Sequence, residues 1–465
     1  MVNTPKLNIT ISSKKLLLFA VMLMFVSFTN ITNAQRDLYN ISKDGLLVTA
    51  TSNVKVIHKN KDLNIDSKIY IDFTEDNISE IDELNVSAKT YRNKIYGKFV
   101  PITGNVKELY KFFRALKESR NKKIRIAHYG DSILLGDVIT ENLRQNFQNK
   151  FGGNGLGFLS IKPDDIRMKR TIRQTVYGNW IMGSITKGNP KHFPIGISGL
   201  TAKATGNSRV KYQTTKFMRT SRSFKTARIF YSNAKPSSSI KYSLEGGKLI
   251  SKKLQPGSGI KQLVLKSSHL GKSLDINFAS AAGTYFYGVS FETGNGIYVD
   301  NFPLTGNSGV SLTFLKKKIL QKFDQYLNYR LIIIQFGVNA TQLTMNFKWY
   351  KNKMVKVIKH FKKSFPNASI LVISVGDKSI KRGSRFVTDP KVLQLLKTQK
   401  EIVAKANVAF WNLYEAMGGK NSLNKWVNAG PPLGLRDYIH FTNLGGKVVA
   451  DLITKALMKE YKKMR

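Results

Sequence analysis

Two kinds of hydrophobic pattern, in separate stretches of the chain, predict an α/β fold with an all-β insertion. From residue 106 to 164, and again from 299 to 465, strand-like and helix-like runs alternate, as in a parallel sheet covered by helices on both faces. From 165 to 298 short runs instead alternate apolar and polar residues, with Gly, Ser, Asn and Pro between them, which predicts an antiparallel β-sandwich. A third observation is that the chemically distinctive residues fall at the ends of the first kind of strand.

The elements follow in order. Residues 35–105 carry short β-like runs such as Leu47–Ala50 and Lys68–Ile71 among polar turns, a β-rich lead-in or linker. Leu109, Phe112, Phe113 and Leu116 fall at helical spacing within Val106–Ser119. Ile124–Tyr129 reads as a strand, and Val138–Phe151 as a helix stopped by Gly152 and Gly153. In the insertion, Ala227–Tyr231, Ile240–Leu244, Gln262–Leu265 and Leu274–Phe278 are strand candidates. Beyond it, strands are expected at Leu331–Phe336, Ser369–Ser374 and Val408–Leu413. Helices are expected at Leu312–Tyr326, Phe347–Phe365, Pro390–Ala406 and Thr442–Tyr461. Met354, Val355, Ile358 and Phe361 line one face of the second of these, with lysines on the other.

At the N-terminus, Lys14 and Lys15 precede an apolar run, Leu16–Phe28, too short to span a bilayer comfortably, and Thr32-Asn33-Ala34 offers small residues for cleavage after Ala34. Residues 1–34 therefore read as a signal peptide, and the protein as exported, periplasmic or secreted, with no integral span after cleavage. The chain has no cysteine, so neither disulfides nor a lipid-modified cysteine enter. The formal charge is +46; the signal segment holds Lys6, Lys14 and Lys15 and no acid, which leaves +43 on the mature chain. Such a surface attracts polyanions. For an exported chain an acidic glycan or an anionic surface is the expected partner, and nucleic acid is not. A generally basic surface with no specific partner is the plain alternative. The sequence sets no oligomeric state.

Open parallel sheets gather their active sites at the carboxyl ends of strands. Gly130-Asp131-Ser132 closes the first such strand and precedes a helix, where a serine hydroxyl can project into the crevice and its own N–H can face an oxyanion. Serine needs a base. Of the six histidines, His58, His192 and His269 lie in the lead-in or the insertion. His360 sits among helix lysines and reads as solvated, and His128 lies in the strand and reads as packing. His440 is left, with Asp437 three residues earlier to orient its ring. Capping of the helix after Thr442 is the alternative role for this pair. Gly337-Val338-Asn339 ends another strand, so the Asn339 amide can face the crevice. Gly306-Asn307-Ser308-Gly309 is a turn whose backbone N–H groups could approach a ligand closely. No Cys/His metal spacing appears, and no cofactor is expected.

These blocks, Gly130-Asp131-Ser132, Gly309, Gly337-Val338-Asn339 and Asp437-Tyr438-Ile439-His440, resemble in kind and order those of the SGNH/GDSL hydrolases. The resemblance implies a flavodoxin-like three-layer α/β/α hydrolase domain. It implies Ser132 as nucleophile, His440 and Asp437 as its partners, and an oxyanion hole from Ser132, Gly309 and Asn339, with Gly306 the alternative to Gly309. Ala340 departs from the family, which often has an acid there. The runs His128–Ser132, Phe151–Gly155 and Leu413–Gly419 further resemble exported bacterial esterases that remove O-acetyl groups from peptidoglycan and carry an inserted carbohydrate-binding-like β-sandwich. The expected substrate is then an O-acetylated, anionic polysaccharide. A polysaccharide O-acetyltransferase using the same residues, and a non-catalytic carbohydrate-binding protein, are the competing expectations. Trp180, Trp349 and Trp426 are expected in the core, or else as sugar-stacking surfaces.

Overall fold

The computed structural model describes residues 96–464 except 343–345, together with four short strands among the first 93 residues. Of these four, Leu7–Asn8 pairs antiparallel with Lys55–Val56, and Tyr39–Ile41 with Ser67–Ile69. The rest of the expected signal segment, and most of the lead-in, lie outside the described residues.

The unit from residue 94 onward is built on a six-stranded sheet. Its strands are β1 (Thr103–Gly104), β2 (Lys123–Gly130), β3 (Gly296–Pro303), β4 (Tyr329–Gln335), β5 (Ser369–Ile373) and β6 (Ala409–Trp411). The order is β3-β2-β4-β5-β6-β1, with only β1 antiparallel to its neighbour. The chain therefore starts the parallel set at β2, steps to one side for β3, and returns past β2 to β4. This is the doubly wound order of flavodoxin-like sheets, with its switch point between β2 and β4.

Alternation along the strands sends side chains to two cores. Ala127, Tyr129, Ile332, Ile334, Ile370 and Val372 face helices α3 (Lys317–Leu327), α4 (Phe347–Ser364) and α5 (Pro390–Ala406). Ile124, Ile126, Leu331, Ile333, Leu371 and Trp411 face α1 (Tyr110–Lys117), α2 (Thr140–Phe151) and α6 (Asn443–Lys463). The two apolar faces make three layers the arrangement that buries both. Helix α3 begins at Lys317, later than the spacing suggests, because Gly309 in a left-handed conformation caps a separate 3₁₀ turn, Val310–Phe314.

Between β2 and β3 the chain makes two antiparallel sheets that enclose a third core containing Trp180, Tyr212, Ile276, Phe286 and Phe291. This layer starts earlier than residue 165: Asn154–Ser160 pairs with Tyr285–Thr293. Its Gly155 and Gly157 hide the alternation that marks the other strands. The parallel sheet likewise resumes at Gly296 rather than at 299. Trp180 and Trp426 are buried, as expected of core residues, whereas Trp349 is 47% exposed. Among the described residues no helix is long and apolar enough to cross a membrane.

Candidate active site

The switch point between β2 and β4 is where Ser132 and the Gly337–Asn339 segment meet. Asp131 caps the 3₁₀ helix Ser132–Asp137, accepting from the Ile133 amide at 3.1 Å. Ser132 is thus the first helical residue, and its N–H has no intrahelical partner. The other Asp131 oxygen accepts the Gly337 and Val338 amides at 2.8 and 3.2 Å. One buried carboxylate therefore ties the two strand-end loops together, a role the sequence reading did not assign. An Asp directly ahead of a helix start was the available signal. Burial pushes Asp131 up to about 6, against the pull of the three amides and of His440.

His440 arrives on the loop before α6. Its Nε2 lies 2.8 Å from Ser132 Oγ, and its Nδ1 lies 2.6 Å from Asp437 Oδ2. The second Asp437 oxygen accepts the amides of Ile439 and His440 at 2.9 and 3.0 Å, so the carboxylate is fixed by its own turn. Burial raises the Asp437 pKa, but the ring bond and both amides outweigh it and hold the carboxyl at about 2. The helix itself is capped by Thr442, whose hydroxyl accepts from Gly445 at 3.1 Å, so capping leaves Asp437 and His440 unused. A hydroxyl, an imidazole and a carboxylate in series can pass the serine proton to the ring as the oxygen attacks.

The remaining expected donors lie on two adjoining loops. Asn339 Nδ2 donates to the Asn307 carbonyl at 3.2 Å; an amide nitrogen has a second N–H to offer. The Gly309 amide donates to Asn307 Oδ1 at 2.7 Å, so Asn307 must turn away, or share that proton, for Gly309 to serve an oxyanion. Gly309 has φ +92°, and a Cβ there would lie 2.9 Å from the Phe336 ring; the position admits only glycine. Gly306 is exposed, and a Cβ there would meet nothing within 4 Å. At Gly337 a Cβ would meet Val375 at 2.5 Å. Ala340 is fully buried, a site where the family's acid would need a partner.

The other histidines divide as follows. His128 is fully buried, bonded to Thr140 Oγ1 at 3.0 Å and Gln335 Oε1 at 2.9 Å, and burial lowers it to about 4. It stays neutral and ties the end of β4 to the start of α2. His192 and His269 are exposed in the β insertion. His360 corrects the expectation of a solvated residue: it is half-buried, and its Nε2 bonds the Leu315 carbonyl at 2.7 Å. Helix α4 turns that position inward against the Val310–Phe314 turn.

No family model matches this chain, and no curated protein does. Solved structures do. One described as a peptidoglycan O-acetylesterase matches at 19% identity and TM-score 0.63, over 78% of this chain and 99% of that one. An acetyl xylan esterase matches at 16% identity and TM-score 0.28, over 34% of this chain and 81% of that one. A family two carbohydrate esterase from Cellvibrio japonicus matches at 10% and 0.27, over 63% and 100%. The first covers most of this chain and nearly all of that one, and with the strand order it leads to one conclusion: this chain shares the fold of that structure, built here on a flavodoxin-like three-layer α/β/α sheet.

Proposed function

We propose that the protein is an exported serine esterase that removes O-acetyl groups from a cell-wall or extracellular polysaccharide, with peptidoglycan the favoured substrate. The observation that carries the reading is the unbroken series Ser132 Oγ, His440 Nε2, His440 Nδ1 and Asp437 Oδ2, at 2.8 and 2.6 Å. Ser132 Oγ attacks the acetyl carbonyl while His440 takes its proton. Asp437 stabilises the imidazolium. The carbonyl oxygen, now negative, is held by the Ser132 N–H, the Asn339 amide and, once released from Asn307, the Gly309 N–H. His440 returns the proton to the departing sugar oxygen, leaving acetyl-Ser132. Water, deprotonated by His440, then adds to the acyl carbon, and acetate leaves as Ser132 regains its proton. No step calls on a metal or a cofactor.

Residues 1–34 act in this reading as a cleaved signal peptide. The antiparallel layers inserted between α2 and β3 act as a carbohydrate-binding-like module that presents the polymer. An acetyltransferase would use the same series, with a sugar hydroxyl in place of water.

The test is acetate release from a small aryl acetate and from O-acetylated peptidoglycan by the wild type and by Ser132→Ala. Wild-type turnover is expected to fall by about 10³-fold or more in the variant, with an unchanged melting temperature. Well-folded wild type that releases no acetate from either substrate, and whose serine is not labelled by a fluorophosphonate, would reject the reading. Serine labelling with acetyl passed only to a glycan acceptor would select the transferase.

A further inference from the structure

Resting on the esterase reading, we propose that Phe386 is a positioning residue for Asp437 and His440: its ring, held against Tyr438, keeps the turn between them in the conformation that lines both up with Ser132. The turn comes first. Tyr438 and Ile439 are the two residues that separate Asp437 from His440, so their dihedral angles set where the imidazole stands relative to the carboxylate. Tyr438 has φ +58°, in the left-handed region that bulky side chains rarely enter. Among the described residues seven others besides glycine have a positive φ; four are asparagine, and none has a phenyl or phenol ring. Turning Tyr438 back to an ordinary φ would swing the Ile439 and His440 amides away from Asp437 Oδ1, which accepts them at 2.9 and 3.0 Å. The carboxylate that meets His440 Nδ1 would then lose its own supports. A strained conformation of this kind persists where its surroundings hold it.

The hold comes from a hairpin, Ser379–Arg382 paired with Arg385–Thr388. The Ser379 amide donates to the Tyr438 carbonyl at 3.1 Å, and the Phe386 ring lies flat on the Tyr438 ring, with centroids 3.5 Å apart and planes 5° from parallel. Tyr438 is thus gripped by its backbone and by its side chain. The hairpin can grip because its base is tied down. Buried Asp377 accepts from Thr388 Oγ1 at 2.8 Å and from the Leu423 amide at 2.9 Å. The Thr388 amide donates to Asn421 Oδ1 at 2.9 Å, and Lys378 lies 3.4 Å from Asp389. Asp377 and Lys378 come four and five residues after the end of β5, so the Phe386 ring is fixed relative to the parallel sheet that also carries Ser132. Glycine or asparagine would take the φ of Tyr438 at less cost; what tyrosine adds is a face for Phe386.

The test is a double-mutant cycle in the full chain: Phe386→Ala, Tyr438→Gly and the two combined. Phe386→Tyr serves as the conservative variant. Phe386→Leu, which keeps apolar volume and removes the flat face, carries the same cycle if the alanine variant does not fold. Two quantities are read: steady-state turnover of an aryl acetate, and the tautomer of His440 by 15N NMR at about pH 8, in a chain with six histidines. Phe386→Ala should lower kcat about tenfold with KM within about twofold of wild type. It should also move His440 from the Nδ1–H toward the Nε2–H form, because Asp437 no longer holds the proton on Nδ1. Phe386→Tyr should keep kcat within about twofold. Glycine takes a left-handed φ without steric cost and offers no ring to stack on. Adding Phe386→Ala to Tyr438→Gly should therefore change kcat by less than about twofold, and the double variant should turn over faster than Phe386→Ala alone. Losses that multiply in the double variant would mean that Phe386 does not act through Tyr438. A double variant no faster than Phe386→Ala would mean that the left-handed turn is not what the stack holds. Either result, or Phe386→Ala with wild-type kcat and tautomer, would overturn the proposal. The tautomer reads out even from a protein that releases no acetate, so failure of the esterase reading and failure of this one remain distinguishable.

Discussion

Strand β2 carries a polar cluster at each end, and the two are built in opposite ways. Near its start, Arg125 is fully buried. One terminal nitrogen holds both oxygens of Asp300, at 2.7 and 2.8 Å, and the other holds Ser290 at 2.6 Å and Glu292. Tyr329 adds a 2.6 Å bond to Asp300, and Lys123 and Arg228 pair with Glu292. Burial alone would lower Arg125 and raise Glu292. The pairing outweighs burial in each case, holding Glu292 at about 2 and Arg125 above its ordinary value. Because Ser290, Glu292 and Arg228 belong to the antiparallel layer, this cluster bolts the insertion to the parallel sheet. Past the other end of β2, Ser132 is half-buried, and the side chains of His440 and Asp437 are 30% and 42% exposed. Here donors are held in place with capacity unused: the Ser132 N–H and the second N–H of Asn339. Charges that hold layers together are surrounded by partners, and the groups proposed to meet a substrate keep donors unused.

The largest effect expected from breaking this contrast is at the open end. Asp437→Asn keeps the shape of the turn but removes the charge that stabilises the imidazolium and favours the wrong ring tautomer. Steady-state turnover of an aryl acetate should fall by about 10³-fold. Because Asp437 is so exposed, the melting temperature should move by no more than about 2 °C. A loss of activity under tenfold would remove Asp437 from the series.

At the closed end the consequences reverse. Arg125→Met leaves Asp300 and Glu292 as uncompensated buried carboxylates, which should cost about 3–5 kcal/mol in urea unfolding. Aryl acetate turnover by the folded fraction should stay close to wild type, since Arg125 makes no contact with Ser132, Asp437 or His440. A variant as stable as wild type would mean that water reaches this cluster and that the layers are held by their apolar contacts alone.

The two ends also differed in how far the sequence disclosed them. Ser132, Asp437 and His440 could be read because their signals are local: a strand running into Gly-Asp-Ser, and an acid three residues ahead of a histidine before a helix. The helices and parallel strands with one apolar face were equally legible. Strand β3 was not, since every residue from Gly296 to Phe302 is buried and its Asp300 and Asn301 look like turn residues until Arg125 and Thr140 supply their partners. The Ser379–Thr388 hairpin was missed for a related reason. Its alternation is short and crowded with cations, and it is anchored by a stack on Tyr438, distant in sequence. The bond from Gly309 to Asn307, which bears on the oxyanion site, depends on side-chain rotation that no spacing rule reaches.

Asp131 belongs to both kinds of cluster, being buried like Arg125 yet adjacent to Ser132, the proposed nucleophile, and it makes the finest test of the comparison. Its pKa is raised from an ordinary 3.8 to about 6, chiefly by burial. An acid raised in the folded state keeps its proton there while the unfolded chain has lost it. Its contribution to stability is therefore complete below about pH 4 and is lost as pH rises through about 6. Asp131→Asn cannot titrate, so between pH 4 and 7 wild type should lose on the order of 2 kcal/mol relative to the variant in urea unfolding. Turnover should respond in the opposite sense. Only the ionised carboxylate accepts from Ile133, Gly337 and Val338 together, whereas an amide or a protonated acid must turn a donor toward one of those N–H groups. At pH 7 the variant should therefore show a reduced kcat while staying folded, through a loosened connection between the Ser132 turn and the Gly337–Asn339 loop. Parallel pH–stability curves for wild type and variant would show that Asp131 is ionised in the folded state throughout this range, and that its three amide bonds, not its burial, set its charge.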